Sequence, residues 1–266
     1  MEPQNKNIKL VSSKKTRVIL PNILTLVGVC IGLTSIKFAF DGKFELSIIA
    51  VIIAAIIDGL DGRIARLIKG TSKVGKELDS LTDMISYGVA PAFIMYFWKL
   101  NTFGRFGWLL CLVYVICVAL RLARFNISSN QEPSWKDNFF EGVPSPAGGI
   151  LVLTPLIISL SGFDYIKVNY DLIVPIFFIA TSFLLISKFP TYSFKKIVIQ
   201  RKATIFLLFA IVLFFGLLLI YTFNVIALSS IIYLSLIPIS FFHYQKMKKI
   251  HENDKIQDED DLEDVL

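Results

Sequence analysis

Charge is scarce in this chain: Asp, Glu, Lys and Arg make up 18% of its 266 residues, where a soluble domain carries about a quarter. With 55% of residues hydrophobic and only 15 glycines, a disordered chain and a collagen-like fibre are excluded. Cysteine is scarcer still. Cys30, Cys111 and Cys117 all lie in apolar stretches with no CxxC and no Cys/His spacing, so neither a disulfide framework nor a zinc site is indicated. His243 and His251 stand isolated near the C-terminus. There is no internal repeat, and no small-residue cleavage site follows the first apolar stretch, which is therefore expected to be retained as a helix and not removed as a signal peptide.

What is abundant is long apolar runs. A mean hydropathy of +0.65 and 23 Phe exceed what one soluble core can absorb, and lipid is the expected solvent for most of the chain. Eight apolar spans fall at roughly 17–39, 44–69, 77–99, 106–125, 144–161, 170–188, 203–221 and 225–242, each near the length that crosses about 30 Å of hydrocarbon as a helix. The expected fold is an all-α polytopic membrane protein. An even number of spans puts both termini on one side. The segments on that side carry 22 of the 27 Lys and Arg; the opposite ends hold Lys37, Lys43, Lys99, Arg105 and Lys167, so by the positive-inside rule both termini are expected to be cytoplasmic in the cell (inner) membrane. The chain divides into a basic N-terminus (1–16), a membrane core (17–202), two further spans (203–242) and a tail (243–266). Residues 251–266 carry eight acids and one lysine, a net −7 that leaves +13 on the other 250. The tail reads as a solvated, disordered end. The basic body suits an anionic leaflet or a phosphate ligand and not nucleic acid.

The second and third spans carry Asp58, Asp61, Asp79 and Asp83, with Arg63 and Arg66, at the ends of otherwise apolar helices. An ionisable residue there costs a few kcal/mol and marks a functional site. Asp58 and Asp61 are i,i+3 and Asp79 and Asp83 are i,i+4, so each pair shares a helix face, and the turn at Gly70–Gly75 lets the helices run antiparallel. Four convergent carboxylates form an all-oxygen site, which selects Mg²⁺ or Mn²⁺ and has room for two ions. Gly59 and Gly62 clear space beside the first pair, and Arg66 is placed to clamp a phosphate.

Residues 58–83, DGLDGRIARLIKGTSKVGKELDSLTD, fill every position of D-x2-D-G-x2-A-R-x8-G-x3-D-x3-D. This string resembles the signature of the CDP-alcohol phosphatidyltransferases, membrane enzymes that move a phosphatidyl group from a CDP-linked lipid to an alcohol. The resemblance implies that Asp58, Asp61 and Asp79 ligate metal and that Asp83 is both ligand and catalytic base. It further implies that Gly62, Arg66 and Ser72 hold the CDP-lipid, and that Asn22 and Thr25, in the segment Pro21–Thr25, complete the nucleotide side together with Gly59. A homodimer is a further implication.

Three more segments, at 121–126, 142–149 and 187–196, resemble the bacterial and archaeal phosphatidylserine synthases of that family, so that the resemblance spans roughly residues 20–200. It implies CDP-diacylglycerol and L-serine as substrates. The serine carboxylate needs a cation, and Arg121, Arg124 or Lys188 could supply it, with Asn126 alongside Arg124. The alternative is that the two arginines snorkel to lipid headgroups, and Arg124, beside Asn126, is the one favoured for the carboxylate. Pro144 and Pro146 suit a helix start, and Gly148 and Gly149 close helix packing. Glycerol 3-phosphate, inositol phosphate or choline as acceptor would keep the reaction class. An ion-coupled transporter would use the carboxylates as a relay, but it predicts inverted repeats that the chain lacks.

Overall fold

Along the first helix the usual distribution of side chains is reversed. In a computed structural model of the chain, which describes residues 14–68, 70–128, 139–162, 169–192 and 201–263, helix α1 (Lys14–Phe40) turns Pro21, Thr25, Gly28, Gly32, Ser35 and Ala39 inward and leaves Ile23, Leu26 and Leu33 about half exposed. That spacing is helical, yet the buried stripe is small or polar and the exposed one aliphatic. In lipid there is no hydrophobic drive to bring helices together, so close backbone approach and interhelical hydrogen bonds do it.

Residues Met1–Val115 and Ile116–Leu266 form two compact units. In the first unit α1 packs against α2 (Phe44–Leu67), α3 (Lys73–Asp83) and α4 (Ala90–Trp98). Ser47 Oγ of α2 donates to Ser35 O of α1 at 2.6 Å, a polar tie inside the packing. A Cβ added at Gly32 would lie 2.8 Å from Ser86 Oγ, and one at Gly28 would lie 3.4 Å from Thr82 Cγ2. Gly28 and Gly32 therefore set how closely α1 approaches the third apolar span.

That span is not the uniform α-helix expected over 77–99. Between α3 and α4 lies a π-helical turn, Met84–Val89, beginning directly after Asp83, and its residues Ser86, Tyr87 and Gly88 are buried. The core around it comprises Tyr87, Ile94, Met95, Leu100 and Tyr114. Phe40, Phe93, Tyr96, Phe97 and Trp108 form a chain of ring contacts near the 3₁₀ turn Leu100–Phe103. Helix α5 (Arg105–Ser128) starts in this unit.

The second unit holds the rest of α5 and the helices α6 (Ser145–Leu160), α7 (Tyr170–Ile186), α8 (Arg201–Ile220) and α9 (Thr222–Glu263). It also holds a two-stranded antiparallel pair that the helical reading did not foresee, β1 (Phe139–Glu141) with β2 (Pro190–Tyr192). Gly142 has φ +75°, and a Cβ there would lie 2.8 Å from Ser187 O, so glycine is needed for both conformation and space. Gly148 lets α6 close on Leu185 of α7. Helix α9 continues as helix through the acidic stretch to Glu263, where a disordered end was expected. No Gly or Pro interrupts residues 239–263, so a helix begun in the membrane meets no breaker.

Among the described residues three helices are long and apolar enough to cross a membrane: Ile19–Phe40, Arg105–Ile127 and Thr222–Lys249. Ser145–Leu160, Tyr170–Ile186 and Thr204–Ile220 are shorter apolar helices, and α2, 24 residues long, carries the charged residues of the site at its C-terminal end. Trp135, residues 164–168 of the expected outer loop and residues 193–196 lie outside the described residues.

The α1 packing gives a stability test. Gly32→Leu drives a side chain into Ser86 and should lower the melting temperature in detergent by the equivalent of about 1–3 kcal/mol of overpacking. Leu33→Ala, on the outward face, should change stability by no more than about 0.5 kcal/mol. Equal melting temperatures for the two variants would refute the close contact.

Candidate active site

Three of the four anticipated carboxylates converge. Asp58, Asp61 and Asp79 each offer an oxygen, and the three oxygens lie within 4.8 Å of one another. The i,i+3 spacing places Asp58 and Asp61 on one face of the last turns of α2, and Gly70 N–H closes that helix on Ala65 O at 2.8 Å. Ser72 then starts α3: its Oγ accepts from Gly75 N at 2.9 Å, which caps the helix and orients Asp79 seven residues on. Asp83, the last residue of α3, stands within hydrogen-bonding reach of Asp58, and its Oδ1 is shielded from solvent.

Each acid of the α2 pair has a hydroxyl partner. Thr25 Oγ1 of α1 donates to Asp61 Oδ2 at 2.6 Å, and Tyr87 Oη of the π-turn donates to Asp58 Oδ2 at 3.2 Å. Neither partner brings charge. Among the described residues no lysine or arginine forms an ion pair with Asp58, Asp61 or Asp79. Two carboxylates 4.8 Å apart repel by roughly 3 kcal/mol at an effective dielectric constant of about 20, so three pairs approach the whole stability of a domain. Protons or a cation must relieve that repulsion. The donors are all oxygen, converge on one point and open to solvent at Asp79, which fits a hard divalent cation.

Asp61 and Asp79 of the cluster lie on the wall of a groove of about 520 Å³ lined by α1, α2 and the start of α3. Asn22, Thr25, Asp61, Gly62, Arg66, Ser72 and Asp79 all line it, so seven of the residues singled out in the sequence share one cleft. Arg66 Nε donates to Gly62 O at 3.0 Å, a bond that leaves the Nη groups of this exposed side chain uncommitted to it. Nothing of the protein occupies the space a Cβ would fill at Gly59 or Gly62, so these glycines give clearance and not helix contact. The close approach is at Gly75, where a Cβ would lie 3.0 Å from Asn22 Oδ1.

Sequence reasoning missed Tyr87, counted Lys73 and Lys76 only as charge although both line the groove, and read Gly75 as a turn end and motif position without its contact to Asn22. A Tyr four residues beyond the last Asp of the motif was the available signal for Tyr87.

The residues expected at the acceptor lie in the second unit. Arg121 is buried; its Nε donates to Val143 O and its Nη1 to Ser145 Oγ at 3.1 Å, with the Phe125 ring 5.8 Å from the guanidinium carbon. Arg124 Nη1 donates to Ile186 O at 2.7 Å at the end of α7, two residues before the exposed Lys188. Asn126 is half-buried near the end of α5.

A family model described as CDP-alcohol phosphatidyltransferase matches residues 18–177. The chain is also similar to curated proteins named CDP-diacylglycerol–serine O-phosphatidyltransferase. The protein from Mycobacterium leprae (strain TN) is 41% identical over 175 residues, 65% of this chain and 57% of the relative. The one from Helicobacter pylori (strain ATCC 700392 / 26695) is 36% identical over 197 residues, 74% of this chain and 81% of the relative. That of Bacillus subtilis (strain 168) is 29% identical over 158 residues, 56% of this chain and 86% of the relative. The chain spans about half the length of the mycobacterial relatives it matches.

The geometry predicts metal binding that can be read without turnover. Titration of the purified chain with Mn²⁺, followed by loss of the free-ion EPR signal, should show binding that Asp61→Asn weakens by at least an order of magnitude. Equal binding by the variant would remove Asp61 from the ligand set.

Proposed function

The chain belongs to the CDP-alcohol phosphatidyltransferase family, and from that membership we propose that it transfers the phosphatidyl group of CDP-diacylglycerol to the hydroxyl of L-serine, giving phosphatidylserine and CMP. The observation that carries the reading is the carboxylate cluster opening into a groove inside the matched region. Serine is favoured as acceptor because the relatives at 36–41% identity bear that name.

In this reading Asp58, Asp61 and Asp79 hold the divalent metal, Mg²⁺ or Mn²⁺, with Asp83 joining them when two ions bind. Bound there, the metal offsets the charge of the pyrophosphate and of the departing CMP. The groove volume falls within the roughly 300–1,000 Å³ of small-molecule sites and suits a nucleotide head group. Arg66 holds a phosphate, and the N-terminal end of α3, capped by Ser72, adds its dipole toward the same anion. Asn22, Thr25, Gly59 and Gly62 shape the nucleotide side. Asp83 accepts the serine hydroxyl proton as that oxygen bonds to the lipid-side phosphorus and the bond to the CMP oxygen breaks. The proton turns acidic only as the new P–O bond forms, so placement of Asp83 matters more than its basicity at rest. The 58–83 motif has no Cys or His, and its two serines are engaged in the helix, Ser72 as the cap of α3 and Ser80 on Lys76 O, which favours direct transfer. Arg124, with Asn126, Arg121 and Lys188, is assigned to the serine carboxylate.

The membrane part of the proposal is eight spans with both termini cytoplasmic and the site facing the cytoplasm of the cell (inner) membrane. The charge distribution supports it. The homodimer remains an implication of the family, open to a mass measurement in detergent.

Purified protein given CDP-diacylglycerol, Mg²⁺ or Mn²⁺ and labelled serine should yield a labelled lipid, abolished by EDTA. Label appearing only with glycerol 3-phosphate, inositol phosphate or choline would replace the acceptor and keep the reaction class. Asp83→Asn should retain CDP-lipid binding and lose turnover; near-native kcat would end its role as base.

Arg124→Lys keeps the charge but loses the planar fork, and should raise KM for serine roughly 10- to 150-fold, more than KM for CDP-lipid. If Arg124→Lys and Arg124→Ala both left discrimination against ethanolamine unchanged, the arginine would be structural, tied to Ile186 O.

A further inference from the structure

We propose that Tyr87 is a positioning residue for the metal site, and that the π-turn exists to bring its hydroxyl onto Asp58. The inference deepens the metal reading above and rests on it. Tyr87 is 1% exposed, and its hydroxyl donates to Asp58 Oδ2 at 3.2 Å, a link between residues 29 positions apart that joins the third apolar span to α2.

The helical geometry accounts for the turn. Asp79, Asp83 and Tyr87 follow one another at intervals of four. In an α-helix each interval drifts about 40° round the axis, so an uninterrupted helix would carry Tyr87 about 80° away from the line of Asp79. The wider i→i+5 turn covers the second interval, Met84–Val89, and counters that drift, keeping Tyr87 on the side of the acids.

A π-turn disturbs the regular ladder, and in a lipid-embedded chain a backbone carbonyl outside it must find an internal donor. Tyr114 Oη of α5 donates to Tyr87 O at 2.7 Å and is itself fully buried. The tyrosine is thus held from behind by a second tyrosine while its own hydroxyl faces the acid.

The chemistry suits the place. A phenol presents one neutral donor. It can occupy Oδ2 of Asp58 and fix the carboxylate plane while leaving the negative charge of the cluster intact for a cation. A lysine or arginine in its position would cancel that charge and compete with the metal. Outer partners of this kind typically change metal affinity about 10- to 100-fold when removed.

The test is direct Mn²⁺ titration by EPR on wild type, Tyr87→Phe and Tyr114→Phe in detergent, alongside serine transfer at saturating metal. Tyr87→Phe keeps the ring packing and loses only the hydroxyl. It should bind Mn²⁺ about 10- to 100-fold more weakly, with the metal requirement for turnover raised by the same factor and kcat at saturating Mn²⁺ within about threefold of wild type. Tyr114→Phe, which leaves the Tyr87 hydroxyl in place, should weaken Mn²⁺ binding by a smaller factor. Unchanged Mn²⁺ affinity in Tyr87→Phe overturns the proposal. So does a loss of kcat that excess metal fails to restore, which would place the hydroxyl on substrate, and so does equal weakening by both variants, which would make the effect general to packing. A wild-type chain that binds no Mn²⁺ overturns the metal reading itself and this inference with it.

Discussion

Three carboxylate oxygens held within 4.8 Å of one another, in a chain whose principal solvent is hydrocarbon, set the condition that the surrounding structure has to meet. Their mutual repulsion is comparable to the total stability of a domain. A basic residue pairing with them would remove the repulsion together with the capacity to hold a cation. The two hydroxyls that bond the acids, Thr25 and Tyr87, orient them and add no charge. The site therefore carries a repulsion that protons or a divalent ion must relieve.

Holding it there requires helices that approach closely without the hydrophobic effect to press them together. α1 supplies Thr25 from the same inward stripe on which Gly28 and Gly32 contact Thr82 and Ser86, so one helix face both packs the third span and bonds Asp61. A single register error on α1 would displace Thr25 and both glycines at once. Fold and site are coupled through that stripe, and the same physics explains why its residues are small or polar while Leu26 and Leu33 face outward.

The groove follows from the end of α2 and the start of α3. Gly70 closes one helix, Ser72 caps the next, and Gly75 lets Asn22 of α1 come close. A cleft walled on one side by acids that can take a metal, and carrying Arg66, Lys73 and Lys76 on its lining, matches the opposed charges of a metal–pyrophosphate ligand.

Much of this was legible in the residues alone. Apolar runs of about 20 identify lipid as solvent, and the spacings of Asp58 with Asp61 and of Asp79 with Asp83 put each pair on one helix face whatever the tertiary arrangement, because 3.6 residues per turn is a local property. Of the seven groove residues named in advance, Asp61, Gly62, Arg66 and Asp79 follow from the residues themselves, and Asn22, Thr25 and Ser72 from the family resemblance. The Tyr87–Asp58 bond, the Thr25–Asp61 bond and the β1–β2 pair could not be so named, because each joins groups brought together only by packing: 29 residues apart for Tyr87 and Asp58, 36 for Thr25 and Asp61. Local spacing determines which side chains share a face. Which of them receive a hydroxyl, and at what distance, is decided by how closely neighbouring helices can approach, and that depends on small residues such as Gly32 whose contacts no local pattern specifies.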